Sequence, residues 1–206
     1  MSDNLKLWNS VEKTDPKHTK KAKIGQMTIT AIAPQYQRKN ATEVFGPYGL
    51  GWGVENESWD FMDFTNGTKI GTYSAVLWYD YEGKRGELPI TSNIKVCYIT
   101  RNGEGYLMVD DEFAKKGQTD AITKGLSTLG FNADVFMGLY DDSKYVNQMR
   151  EEFADKPADV ITKVGEVSDL NALTAYWKEL PKKMQEHSEV KAAFTAKKTL
   201  LTPTDK

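Results

Sequence analysis

Apolar positions along the chain change period several times, and each change marks an element. "QMTITAIA" (Gln26 to Ala33) is rich in β-branched residues that nearly alternate with others, which predicts a strand. Pro34 then opens a helix at a position that tolerates its missing N–H. Tyr36, Gln37, Ala41, Val44 and Phe45 recur as a short stripe along that helix, and Gly46-Pro47 closes it. "GLGWGVENESWDFMDFT" predicts a strand with an irregularity near Glu57. Trp52 and Val54 share one parity and Trp59 and Phe61 the other, and a bulge accounts for the switch. "KIGTYSAVLWYDYEG" is a clearer strand, with Tyr73, Ala75, Leu77 and Tyr79 on one face. After a turn at "YEGKRG" the chain returns through "ELPITSNIKVCYIT". Connections this short predict an antiparallel meander of three or four strands.

A period near four follows in "KKGQTDAITKGLSTLGFN" and its lead-in. Asp110 is the expected N-cap, with Asp111 and Glu112 at the positive helix end. Phe113, Gly117, Ala121, Gly125 and Leu129 form one face, widened by Ala114, Ile122 and Leu126. Each interior glycine costs such a helix about 1 kcal/mol relative to alanine. Small residues on one face therefore predict a helix pressed close against a sheet. The opposite face collects Lys116, Asp120, Thr123 and Ser127, with Lys124 at its flank, and Gly130 ends the helix. Beyond it, "DDSKYVNQMREEFAD" predicts a helix and "KPADVITKVGEVSD" a linker, and residues 169–201 carry two more helical patterns. The expected organisation is α+β: a core over 1–155, then a linker and helical appendage over 156–206.

The 206 residues are 39% hydrophobic and 27% charged, ordinary for a globular chain that buries a core. A formal charge of −2 gives no overall cationic character, so any polyanion site must be a local patch. One candidate patch is "KTDPKHTKKAK", where Lys13, Lys17, Lys20, Lys21 and Lys23 face the single acid Asp15. It reads either as a solvated arm or as a phosphate-contacting loop or edge. Cys97 is the only cysteine, which excludes an internal disulfide and suits a reducing cytoplasm. The start of the chain lacks the apolar core of a signal peptide, and no run of about 18 apolar residues suggests a membrane span.

Candidate chemistry is sparse. His18 and His187 are far apart and outside zinc-ligand spacing. No phosphate-loop motif occurs. "GPYGLGWG" follows a helix and enters a strand, the reverse of a dinucleotide loop, so its glycines serve a tight turn. Asp60/Asp63, Asp110/Asp111/Glu112 and Asp141/Asp142 suit caps and turn tips, with a metal-dependent nuclease as the alternative. A non-catalytic protein-interaction module is a second alternative. Exposed aromatics near lysines can stack on bases, worth about 1–3 kcal/mol each. Tyr36, one turn before Lys39, is a candidate.

Two segments carry a resemblance. "YQRKNATEVFGPYGLGWG" (Tyr36 to Gly53) and "KKGQTDAITKGLSTLGFNADVFMGLYDD" (Lys115 to Asp142) resemble the phage single-strand annealing proteins of the Sak type. That group lies in the superfamily of the eukaryotic ring-forming strand-annealing mediator. "WNSVEKTDPKHTKKAKIG" also resembles the start of such proteins, so the likeness runs from Trp8 to Tyr145. The resemblance implies a β-β-β-α core with a helix across a curved sheet, and assembly into rings or helical filaments. It implies single-stranded DNA in an outer basic groove, backbone held and bases displayed, for ATP-independent annealing in phage recombination within a bacterial cytoplasm. It implies no catalytic residue and no nucleotide, metal or other cofactor, and a phage exonuclease or a host single-strand-binding protein is a candidate further partner.

In the ring-forming relative a Thr-Asp pair precedes two adjacent basic residues that face DNA. Here the pair is Thr119 and Asp120, and of the next two positions, Thr123 and Lys124, only the second is basic. Ser127 stands at a further basic position. Lys115 matches a basic position at the helix start, Lys116 adds charge, and the contact before the first strand falls around Lys20 and Lys21. The expected DNA-binding set is therefore Lys20, Lys21, Lys23, Lys115, Lys116, Thr119, Thr123 and Lys124.

Overall fold

The computed structural model describes residues 3–100 and 105–202, and the chain separates into two units, Met1–Arg150 and Glu151–Lys206. In the first, a short helix α1 (Lys6–Val11) leads to a hairpin of β1 (Thr19–Ile24) and β2 (Met27–Ile32). Helix α2 (Pro34–Phe45) follows. Then comes a curled antiparallel sheet in the order β3 (Trp52–Asp63), β4 (Lys69–Tyr81), β5 (Lys84–Ile99), β6 (Leu107–Val109). Helix α3 (Phe113–Thr128) packs on β4 and β5, and α4 (Ala133–Phe136) and α5 (Ser143–Glu152) complete the series. The fold is the expected α+β arrangement of a curved meander with a long helix across it.

Period two places the β4 side chains as expected: Tyr73, Ala75 and Leu77 are buried against the helix layer. The irregularity in β3 is a register shift between Glu55 and Ser58, with Asn56 at φ 55°. It lets Trp52 and Trp59 both reach the core side although their parity differs.

The glycines of α3 mark its closest approach to the sheet. A Cβ at Gly117 would lie 2.5 Å from the Trp59 ring, and one at Gly125 would lie 2.6 Å from Ile90 Cγ2 and 3.2 Å from Leu77 Cδ1. Ala121 between them is fully buried. Two expectations for this helix are corrected. Ala114 is exposed and adds nothing to the packed face. Asp110 is not the N-cap: the cap residue is Glu112, without a side-chain bond, while Asp110 accepts from the Glu112 N–H (3.1 Å) and from Lys116. The helix begins at Phe113, so Asp110 lies two residues before the cap position and its carboxylate serves the preceding turn. At the other end Gly130, at φ 101°, lets the Phe131 N–H reach the Leu126 carbonyl (3.2 Å) and so ends the helix.

Helix α2 lies beside α3 and is held there by specific contacts. Gln37, buried, donates to the Phe131 carbonyl (3.2 Å), and the Phe45 and Phe131 rings meet edge-on at 5.4 Å. Trp52 Nε1 donates to Thr42 Oγ1 (3.2 Å).

The second unit is helical: α6 (Pro157–Glu166), α7 (Leu170–Glu179), α8 (Lys182–Glu186) and α9 (Ser188–Leu201). Val160, Val164, Leu173, Leu180, Val190 and Phe194 form its core. The expected linker is thus corrected to a helix. Pro157 and Gly165 suggest breaks, but the first sits in the opening turn and the second in the last, where each is tolerated. Between them Val160 and Val164 stack one turn apart and are buried.

If α3 depends on close approach, Gly125→Leu destabilises the first unit by about 1–3 kcal/mol through overpacking, while Thr123→Ala on the outer face stays within about 0.5 kcal/mol of the parent. Urea denaturation followed by tryptophan fluorescence checks this, and a Gly125→Leu midpoint equal to the parent contradicts it.

Candidate nucleic-acid interface

Helices α2 and α3 flank an open groove of about 760 Å³. Trp52 and Ile122 lie at its base, Arg38 and Lys39 line it from α2, Gln118 lines it from α3, and Tyr48 stands at the loop end. Stripe spacing explains the placement. With Gln37, Ala41 and Phe45 turned into the core, Arg38 and Lys39 must flank the groove. Arg38 makes no hydrogen bond or ion pair among the described residues, and Lys39 makes only an exposed pair with Glu43 (3.3 Å). Tyr48 is 51% exposed and stands perpendicular to the Trp52 ring at 4.9 Å. Gln118 donates to Glu57 Oε2 (3.0 Å), which also accepts from the Tyr73 hydroxyl (2.7 Å). Burial, reinforced by the Glu57 carboxylate, raises the Tyr73 pKa above the ordinary tyrosine value, so this hydroxyl stays a donor.

The expected residues of α3 divide between stripes. Lys115 and Thr119 share with Gln118 and Ile122 the i, i+3, i+4, i+7 stripe on the groove side. Lys116 and Thr123 lie on the outer stripe. Lys124 sits with Asp120 on the flank toward β5, where the Ser92 hydroxyl donates to Asp120 (2.7 Å). Each of these lysines already has a carboxylate: Lys115–Glu112 at 3.0 Å, Lys116–Asp110 at 2.8 Å and Lys124–Asp120 at 2.7 Å. The Lys116 ammonium holds the Asp110 carboxyl below its ordinary range, and Lys115 does the same to Glu112. These pairs are exposed, so water competes for them and a phosphate can replace the carboxylate.

The lysine-rich segment is a strand rather than an irregular arm. In β1, Lys21 and Lys23 share a face with Thr30 and Thr28, and Lys20 lies on the other face with Ala22 and Ile29. Lys21 donates to Thr30 Oγ1 (2.7 Å) and lies 3.9 Å from Asp141. Lys20 and Lys23 have no partner among the described residues. The hairpin neighbours α4 and the 139–141 turn, so its lysines and those of α3 are two separate sets. Tyr36 is not a free platform: it stacks on His18 (4.1 Å, 15°) and its hydroxyl accepts from the Asp15 N–H (3.4 Å).

A buried polar cluster anchors the residues that lead into the hairpin. Asp134, 1% exposed, accepts from the Thr14 N–H (2.8 Å), the Thr14 hydroxyl (2.6 Å) and the Tyr145 hydroxyl (3.0 Å). Asn132 Nδ2 donates to Thr14 Oγ1 (2.9 Å), and Tyr140 donates to the Thr14 carbonyl. Sequence reasoning did not single out this cluster, nor Arg38, Lys39, Tyr48 and Gln118 as a groove.

The acidic clusters disperse into local pairings. Asp110 holds Lys116, Asp63 holds Lys69, and Asp142 accepts from the Lys144 N–H. Among the described residues no three His, Cys, Asp or Glu side chains converge to hold a metal ion, and no helix is long and apolar enough to cross a membrane. No protein-family model matches the chain, and no curated protein matches it.

Asp134→Ala removes the acceptor of the buried Thr14 N–H and Thr14 hydroxyl, each loss costing about 1–3 kcal/mol. The expected result is faster proteolytic cleavage within residues 11–18 than in the parent under native conditions. An unchanged cleavage rate there contradicts the anchoring role.

Proposed function

We propose that the first unit binds single-stranded DNA by its backbone and promotes annealing of complementary strands without ATP, as an assembly of many copies. The observation that carries this reading is the α2–α3 groove, where Arg38, with no side-chain partner among the described residues, stands with Lys39 and Glu43 around buried Trp52 and Ile122. The sequence resemblance to phage annealing proteins supports it, as does the curved meander with a helix across it. Lys20, Lys21, Lys23, Lys115, Lys116, Thr119, Thr123 and Lys124 remain the proposed DNA contacts, with Arg38 and Lys39 added. Lys20, Lys23 and Arg38 offer charge at once. Lys115, Lys116 and Lys124 offer it by exchanging a carboxylate for a phosphate.

Assembly is supported by apolar surface at one end of the sheet. Phe61, Met62, Tyr98, Ile99, Leu107 and Val109 are all exposed, and the register places them near one end of the sheet, where Met62 pairs Ile70 and Cys97 pairs Val109, with Phe61, Ile99, Leu107 and Val109 on one face and Met62 and Tyr98 on the other. The two outer strands, β3 and β6, present open edges. Joining the β6 edge of one copy to the β3 edge of the next is a head-to-tail contact, which closes into a ring or runs on as a filament. Copies in series multiply weak phosphate contacts by effective concentration. This reconciles a slightly acidic protomer with binding to a polyanion. A backbone grip leaves base edges free, so the incoming strand supplies sequence specificity.

Salt dependence separates the two kinds of cation. Arg38→Ala with Lys39→Ala is expected to weaken binding to a labelled oligothymidine and to lower the log–log salt slope by about 0.7 for each phosphate that is no longer neutralised. Glu112→Gln with Asp120→Asn is expected to tighten binding and steepen that slope, because Lys115 and Lys124 are then unopposed. Fluorescence anisotropy across a salt series measures both. Parent-like affinity and slope in both variants contradict the proposed contacts.

A further inference from the structure

The second unit carries its own groove, about 390 Å³, between α7 and α9. Leu170, Leu173 and Trp177 line it from α7 and Phe194 from α9. Trp177 meets the Phe194 ring edge-on at 4.8 Å. Leu173 and Phe194 are buried at the base, while Trp177 is half-buried and leaves part of its indole open. Lys191 and Lys198 stand on the rim, both exposed, and neither side chain has a hydrogen bond or ion pair among the described residues. Among the described residues no carboxylate lines the groove. The lysines are two helical turns apart, about 10 Å along α9.

We propose that this groove docks an acidic amphipathic peptide segment of another protein. Large apolar side chains enter beside Trp177 and Phe194, and carboxylates two helical turns apart reach Lys191 and Lys198. The charge pattern selects the occupant. An apolar floor accepts many peptides, but two unopposed cations at its edge favour acids and repel basic segments. A nucleic-acid strand also suits cations, yet the floor presents the aliphatic and aromatic side chains of Leu170, Leu173, Trp177 and Phe194, which fit apolar side chains better than a hydrated backbone. The proposal is independent of the reading of the first unit.

The test uses the full chain and a fluorescein-labelled helical peptide of about 15 residues. Two glutamates seven positions apart flank a leucine and a phenylalanine on the same face. Saturable anisotropy is expected, with affinity falling about tenfold or more in the Lys191→Glu, Lys198→Glu double variant. A similar fall is expected for the peptide with glutamine in place of both glutamates. Both substitutions are on the surface, and an unchanged far-UV circular dichroism spectrum confirms that the variant is folded. Trp177→Ala provides a second, uncharged perturbation and is expected to weaken binding as well. Absence of peptide binding to the parent overturns the proposal, as does equal binding by the charge-reversed variant. Displacement of the peptide by oligothymidine, with loss of that competition on charge reversal, also overturns it in favour of a nucleic-acid contact.

Discussion

The close seating of α3 on the sheet is the constraint on which the first unit depends. A helix interior that accepts two glycines gives up intrinsic stability, and here it gains contact with Trp59, Leu77 and Ile90 that no larger residue permits. Tight seating fixes where Gln118 and Ile122 stand. The Gln37 bond to the Phe131 carbonyl and the Phe45–Phe131 contact then fix α2 beside α3. The groove is therefore a consequence of core packing, and its cations are positioned by helices rather than by loops.

Electrostatics on this frame are restrained. A chain of net charge −2 cannot attract a polyanion over its whole surface. Instead each α3 lysine carries a nearby carboxylate, while Arg38, Lys20 and Lys23 do not. Such masking favours weak contacts by single protomers and strong contacts by a series of them. The proposed annealing role requires that balance, since a strand must be held long enough to be presented and the duplex then released.

Much of the fold was legible because it is local. The alternation of Tyr73, Ala75 and Leu77, the parity switch before Trp59, and the four-residue recurrence of Gly117, Ala121 and Gly125 need only neighbours in sequence. The hairpin strand β1 was not legible, since half of Thr19 to Ile24 is lysine and the segment gains its strand character by pairing with β2. Helix α6 was obscured by Pro157 and Gly165 at its ends. The site was harder still. Arg38 and Lys39 form a groove only because α2 meets a carbonyl far along the chain, and the Asp110–Lys116 pair spans six residues, outside helical i, i+4 spacing. The Asp134 cluster joins residues still farther apart in sequence, so no periodicity announces it.

The central claim is that the cations of the first unit, multiplied by assembly, grip the backbone of single strands and leave their bases free to pair. The rate at which two complementary oligonucleotides, one with a fluorophore and one with a quencher, form duplex without any nucleotide tests it most directly. The account predicts a rate well above that of the naked strands at low salt, falling toward the naked rate as salt rises. Folded protein that leaves the rate unchanged at every salt concentration and every protein-to-strand ratio contradicts it.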